Sequence, residues 1–82
     1  MYYVLLDSLA TRSRVIDGLK QRGVDSVFHY VPLHLAPAGK RFARTHGNLV
    51  HTEGLSDRLL RLPLWVGLDD VGRVVDDLSA LI

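Results

Sequence analysis

The last twelve residues constrain the chain most. Val71, Val74, Val75, Leu78, Leu81 and Ile82 recur at offsets 0, 3, 4, 7, 10 and 11. That spacing places them on one stripe of a helix turning every 3.6 residues. A stripe this apolar needs a complementary surface elsewhere in the chain, so the remaining residues must build one. Asp69 or Asp70 is the expected cap at its start.

Upstream, the pattern alternates between strand and helix. Tyr2–Leu6 is aromatic and β-branched, which predicts a strand, and its near-continuous apolarity predicts burial on both faces. Asp7 or Ser8 can cap a helix over Leu9–Arg22, with Val15, Ile16 and Leu19 on its inner face. Gly18 costs that helix up to ~1 kcal/mol relative to Ala, and Gly23 is placed to end it. Val24–Val31 reads as a second strand closed by Pro32. Alternation sets Phe28 against His29, so Phe28 is expected buried under the helices and His29 exposed. Pro37 opens a short helix to Arg44, with Phe42 as its apolar anchor. Thr52 caps another, in which Leu55 and Leu59 stack one turn apart. From Leu60 to Trp65 the period becomes two, a third strand, and Pro63 predicts an edge position. The order β-α-β-α-α-β-α predicts an α/β (α+β) two-layer sandwich, a small three-stranded sheet with helices on one face, as a single domain over residues 1–82.

Composition excludes several classes. At 82 residues, one small domain is the limit. Such a chain buries only roughly 60–65% of its unfolded surface. It is 48% hydrophobic and 23% charged, which argues against disorder. The apolar runs Met1–Leu6 and Leu62–Leu68 are far short of the ~20 residues of a membrane helix. No basic stretch precedes the first apolar run, so no signal peptide is expected. There is no cysteine, hence no disulfide, thiolate nucleophile or zinc-thiolate site, and the cytoplasm is the expected compartment.

Charge is uneven along the chain. Residues 29–68 hold five basic and two acidic side chains, while residues 69–82 hold one basic and four acidic. The basic middle suits an anionic small ligand but lacks the dense stripe of a nucleic-acid binder. Lys40–Arg44 offers only one aromatic among its cations, Phe42, which is expected to pack inward.

All four histidines lie in that middle, as His29-x4-His34 and His46-x4-His51. Neither spacing is that of a helical metal motif, and no metal site is expected. No nucleophile elbow and no phosphate-cradling glycine loop occur. Lys20 and Lys40 read as solvated charges. The densest cluster of polar chemistry is His29-Tyr30-Val31-Pro32-Leu33-His34, two imidazoles and a phenol around a rigid proline. It is either an ordinary strand end or one wall of a ligand pocket.

That segment belongs to a longer string. With Ala36-Pro37-Ala38-Gly39, Arg44-Thr45-His46-Gly47, Thr52-Glu53 and Ser56–Leu64, it resembles the C-terminal end of the DegT/DnrJ/EryC1/StrS aminotransferases. These are pyridoxal-phosphate sugar aminotransferases. The likeness is greatest to the dTDP-4-amino-4,6-dideoxygalactose transaminase branch and covers essentially the whole chain. The resemblance implies the small C-terminal domain of a fold-type-I enzyme. The large domain, with its Schiff-base lysine and the aspartate facing the pyridinium nitrogen, has no counterpart here. No catalytic residue and no cofactor-binding residue is therefore expected in this chain, which would be inert alone. Met1 falls where the family has an internal methionine, as expected of a truncated product, a misread reading frame or an excised piece.

By the same resemblance, His29 and Tyr30 line the sugar-nucleotide pocket and His34 lies at its rim. They would act by hydrogen bonding and stacking rather than proton transfer. The other reading is a free-standing α/β ligand-binding or regulatory module. Surface normally covered by a large domain would be bare, so homo-oligomers are expected through Tyr2, Leu33, Leu35, Trp65 and Leu81-Ile82.

Overall fold

A computed structural model describes residues 1–65 and 68–82. Val66 and Gly67, within the apolar run Leu62–Leu68, lie outside the described residues. The elements are β1 (Tyr3–Leu5), α1 (Leu9–Gln21), β2 (Val27–Phe28), a 3-10 turn (Leu33–Leu35), α2 (Pro37–Phe42), α3 (Val50–Arg58), β3 (Leu59–Arg61) and α4 (Val71–Leu81). The expected fold class is the one adopted: α/β, with a small three-stranded antiparallel sheet.

The sheet order is β1-β3-β2, and both outer strands run antiparallel to β3. They are therefore parallel to each other, and α1 is the crossover between them, with β3 inserted in the gap. β3 is central, not an edge as Pro63 suggested. The last ladder bond runs from the Leu62 N–H to the Tyr2 carbonyl, 3.0 Å, so Pro63 lies beyond the point where a donor is needed.

The register sorts the two faces. Val4 and Phe28 both stand opposite Leu60, while Tyr3 and Val27 both stand opposite Arg61. The Leu60 face is covered by α1, whose Val15 and Leu19 are fully buried against it, with Leu6, Val24, Leu62 and Leu78 completing the core. The Arg61 face has no helix layer. Tyr3, Leu5 and Val27 are about half exposed there, so β1 is not buried on both faces.

Helix α1 begins where a cap was expected. The Ser8 hydroxyl accepts from the Thr11 N–H at 3.1 Å. Gly23, at φ 79°, turns the chain out of the helix. Gly18 has a packing reason: a Cβ there would stand 2.7 Å from Leu81 Cδ2, so the glycine lets α4 approach α1 closely. α4 follows Asp70, whose φ of 59° is left-handed and whose side chain makes no capping bond.

Four local expectations are corrected. Phe28 faces the helix layer but lies on the short outer strand β2, beyond the core, and stays 44% exposed, while His29 is half buried. Phe42 is 78% exposed rather than anchoring α2; Gly39 is the residue α2 buries. α3 starts at Val50 with Leu49 in the cap position, so Thr52 lies inside its first turn. Leu59 opens β3 instead of closing that helix, because the Leu6 N–H takes the Arg58 carbonyl at 3.0 Å and draws the chain into the sheet.

Candidate functional site

β2 ends at Phe28, and strand alternation ends with it. The next residues fold across the open end of the sheet towards α3. His29 and Tyr30 stack with ring centres 4.6 Å apart, tilted by 49°. Arg61, from the bare face of β3, lays its guanidinium 5.4 Å from the Tyr30 ring centre. Such a contact suits a delocalised cation over a π face.

His29 and Tyr30 form one wall of a groove of about 510 Å³. Pro32 and Leu33 continue that wall, and Thr52, Leu55 and Ser56 of α3 form the other. A hydrogen bond joins the two walls. Ser56 Oγ donates to the Tyr30 carbonyl at 3.0 Å, fixing the loop to α3. Arg12 Nη1 of α1 donates to the Ser56 carbonyl at 2.8 Å, and the same guanidinium lies 5.4 Å from the Phe28 ring centre. One arginine thus joins α1, β2 and α3. His29 Nδ1 is buried and has no hydrogen-bond partner among the described residues.

His34 is not part of this groove. Its ring lies on the other side of Leu33, in a smaller hollow of about 270 Å³ with Arg44, Thr45 and Leu49. There His34 Nε2 is 2.8 Å from Glu53 Oε1, a contact that ties the 3-10 turn to α3. The structure therefore brings His29 and Tyr30 together and sets His34 apart from them. His46 and His51 are exposed, and among the described residues no three His, Asp or Glu side chains converge as a metal cage.

The groove can stack and hydrogen-bond a ligand. The Ser56 hydroxyl donates to the Tyr30 carbonyl. Neither Ser56 nor Arg61 stands out in the sequence as a groove-building residue. The alternation around Leu60 and Leu62 holds the signal for Arg61. No local pattern marks Ser56.

A model of the DegT/DnrJ/EryC1/StrS aminotransferase family matches residues 1–79. The chain belongs to that family. Aminotransferases of the DegT/DnrJ/EryC1/StrS family generally depend on pyridoxal phosphate. The residues of this chain do not fit that cofactor. A Schiff base needs a primary amine at the site. Lys20 and Lys40 are both exposed, on α1 and α2, and neither borders the His29–Tyr30 groove. Among the described residues no carboxylate borders it either, so none of its lining side chains could pair with a pyridinium nitrogen as a carboxylate does. Among the described residues no helix is long and apolar enough to cross a membrane.

Proposed function

We propose that this chain is the small C-terminal domain of a pyridoxal-phosphate nucleotide-sugar aminotransferase, inert by itself. The parent reaction transfers an amino group to a 4-keto-6-deoxy sugar nucleotide, with the dTDP-4-amino-4,6-dideoxygalactose transaminase branch as the nearest pattern. A large domain, supplied elsewhere, holds the cofactor and the lysine. This domain contributes a binding wall: the Tyr30 ring and phenol for stacking and hydrogen bonding and the His29 ring beside it, with His34 in the adjoining hollow, steadied by Glu53. The setting is cytoplasmic, in keeping with a chain that has no cysteine.

The observation that carries the reading is the separation of parts. The polar aromatic pair borders a groove of ligand size, about 510 Å³, while both lysines point into solvent elsewhere. The isolated chain mixed with pyridoxal phosphate should give no stoichiometric aldimine band and no transamination. A band that disappears on changing Lys20 or Lys40 alone would sink the proposal. The DNA upstream of Met1 is the companion test. An in-frame large domain with a cofactor lysine supports the reading; its absence favours a free-standing binding module.

A further inference from the structure

The basic and acidic parts of the chain end up on separate elements, each with an apolar feature at its centre. Residues 26–52 contain no Asp or Glu and hold Lys40, Arg41 and Arg44. Gly39 is pressed against the 3-10 turn, which fixes α2 in place. Phe42, the last residue of α2, stands out from its C-terminal end, 78% exposed, with the Arg41 guanidinium 5.1 Å from its ring centre and Lys40 and Arg44 exposed beside it. This is an aromatic knob among cations at the end of a fixed element.

α4 carries the converse. Tyr2, Leu64 and Leu68 form an apolar cleft of about 200 Å³ with Val71 and Val75. It runs into a second groove of about 360 Å³ that shares Pro63, Leu68 and Val74 with it and bears Asp25, Asp69 and Asp70. None of these three carboxylates enters an ion pair among the described residues. Arg73, the cation of that groove, is occupied: its Nε lies 3.6 Å from Asp77, and its Nη2 donates to the Arg22 carbonyl. α2 rests on the 3-10 turn and α4 on α1, so the knob and the cleft belong to different neighbourhoods of one copy.

We propose that Phe42 of one copy seats in the α4 cleft of a second copy, with Lys40, Arg41 and Arg44 set against Asp25, Asp69 and Asp70. The occupant is a second copy because the chain itself carries both halves of the match, ring for cleft and cations for carboxylates. At a net charge of +1, two copies repel little. The contact joins unlike surfaces, so it propagates head to tail unless a ring closes. The buried ring supplies the affinity; the rim charges supply orientation and salt sensitivity. The proposal is independent of the aminotransferase reading.

Sedimentation velocity on the full 82-residue chain at tens of micromolar tests it, in low salt and at about 0.5 M salt. Self-association is expected, weakened by salt. Phe42→Ser, at an exposed site away from the core, should weaken it on the order of 10- to 100-fold without altering thermal unfolding. The double variants Lys40→Glu/Arg41→Glu and Asp25→Lys/Asp69→Lys should each sediment as monomers. Mixed one to one, they should associate again, since each reversed knob then meets a cleft of opposite charge. A monomeric parent chain overturns the proposal. So does association indifferent to Phe42→Ser, or a mixture of the double variants that remains monomeric.

Discussion

A Cβ on Gly39 would stand 1.6 Å from the carbonyl oxygen of Leu33. The obstacle is backbone, inside a 3-10 turn whose own bonds run from the Leu35 and Ala36 N–H groups to the Pro32 carbonyl, 2.9 and 3.1 Å. It cannot rotate aside as a side chain would. Gly39→Ala should therefore cost at least about 2 kcal/mol, or shift α2 off the turn. Gly54, inside α3, has nothing within 4 Å of the same position. Gly54→Ala should instead add up to ~1 kcal/mol, because alanine is the better helix former. Urea denaturation of the two variants checks both signs, and equal midpoints would refute the close approach at Gly39.

Ser26 is 7% exposed just before β2, and its hydroxyl has no hydrogen-bond partner among the described residues. An unpaired buried hydroxyl costs free energy that its removal recovers. Ser26→Ala should be neutral or stabilising, by up to about 1 kcal/mol, where most core truncations destabilise. A loss greater than about 1 kcal/mol would mean the hydroxyl is bonded in solution.

The hydroxyls of Thr11 and Ser8, at the start of α1, hold the Asp7 carboxyl below its ordinary pKa of 3.8, Thr11 contributing most. The sign follows from linkage. A carboxyl whose folded pKa is depressed adds stability at pH values above its unfolded pKa. That contribution fades as the pH falls below 3.8 and through the folded value. In an NMR titration the Asp7 carboxyl should titrate below its ordinary value of 3.8. Thr11→Val should move its midpoint up towards 3.8. A midpoint unchanged by that substitution would remove Thr11 as the cause.

Much of this molecule is legible in the residues alone. The α4 stripe, the Ser8 cap, the Val15 and Leu19 face of α1 and the turn at Gly23 are set by neighbours within about four residues, the range over which helix periodicity and capping act. The His29–Tyr30 pair is legible for the same reason, since adjacent rings need little help to meet. Tertiary structure decided the rest. β3 became central because Tyr3 pairs with Arg61 and Val27 pairs with that same Arg61, contacts between residues dozens of positions apart. That pairing settled which sheet face stayed bare and brought Arg61 to Tyr30. The placement of α3 by Arg12 and Ser56 gave the groove its second wall and drew His34 to Glu53 instead. Gly39, without a side chain, let α2 close on Leu33, and Phe42 at the end of that helix was left in solvent. Alternation and apolarity state that a side chain seeks cover; only the long-range pairing of strands and helices determines whether cover exists at that place.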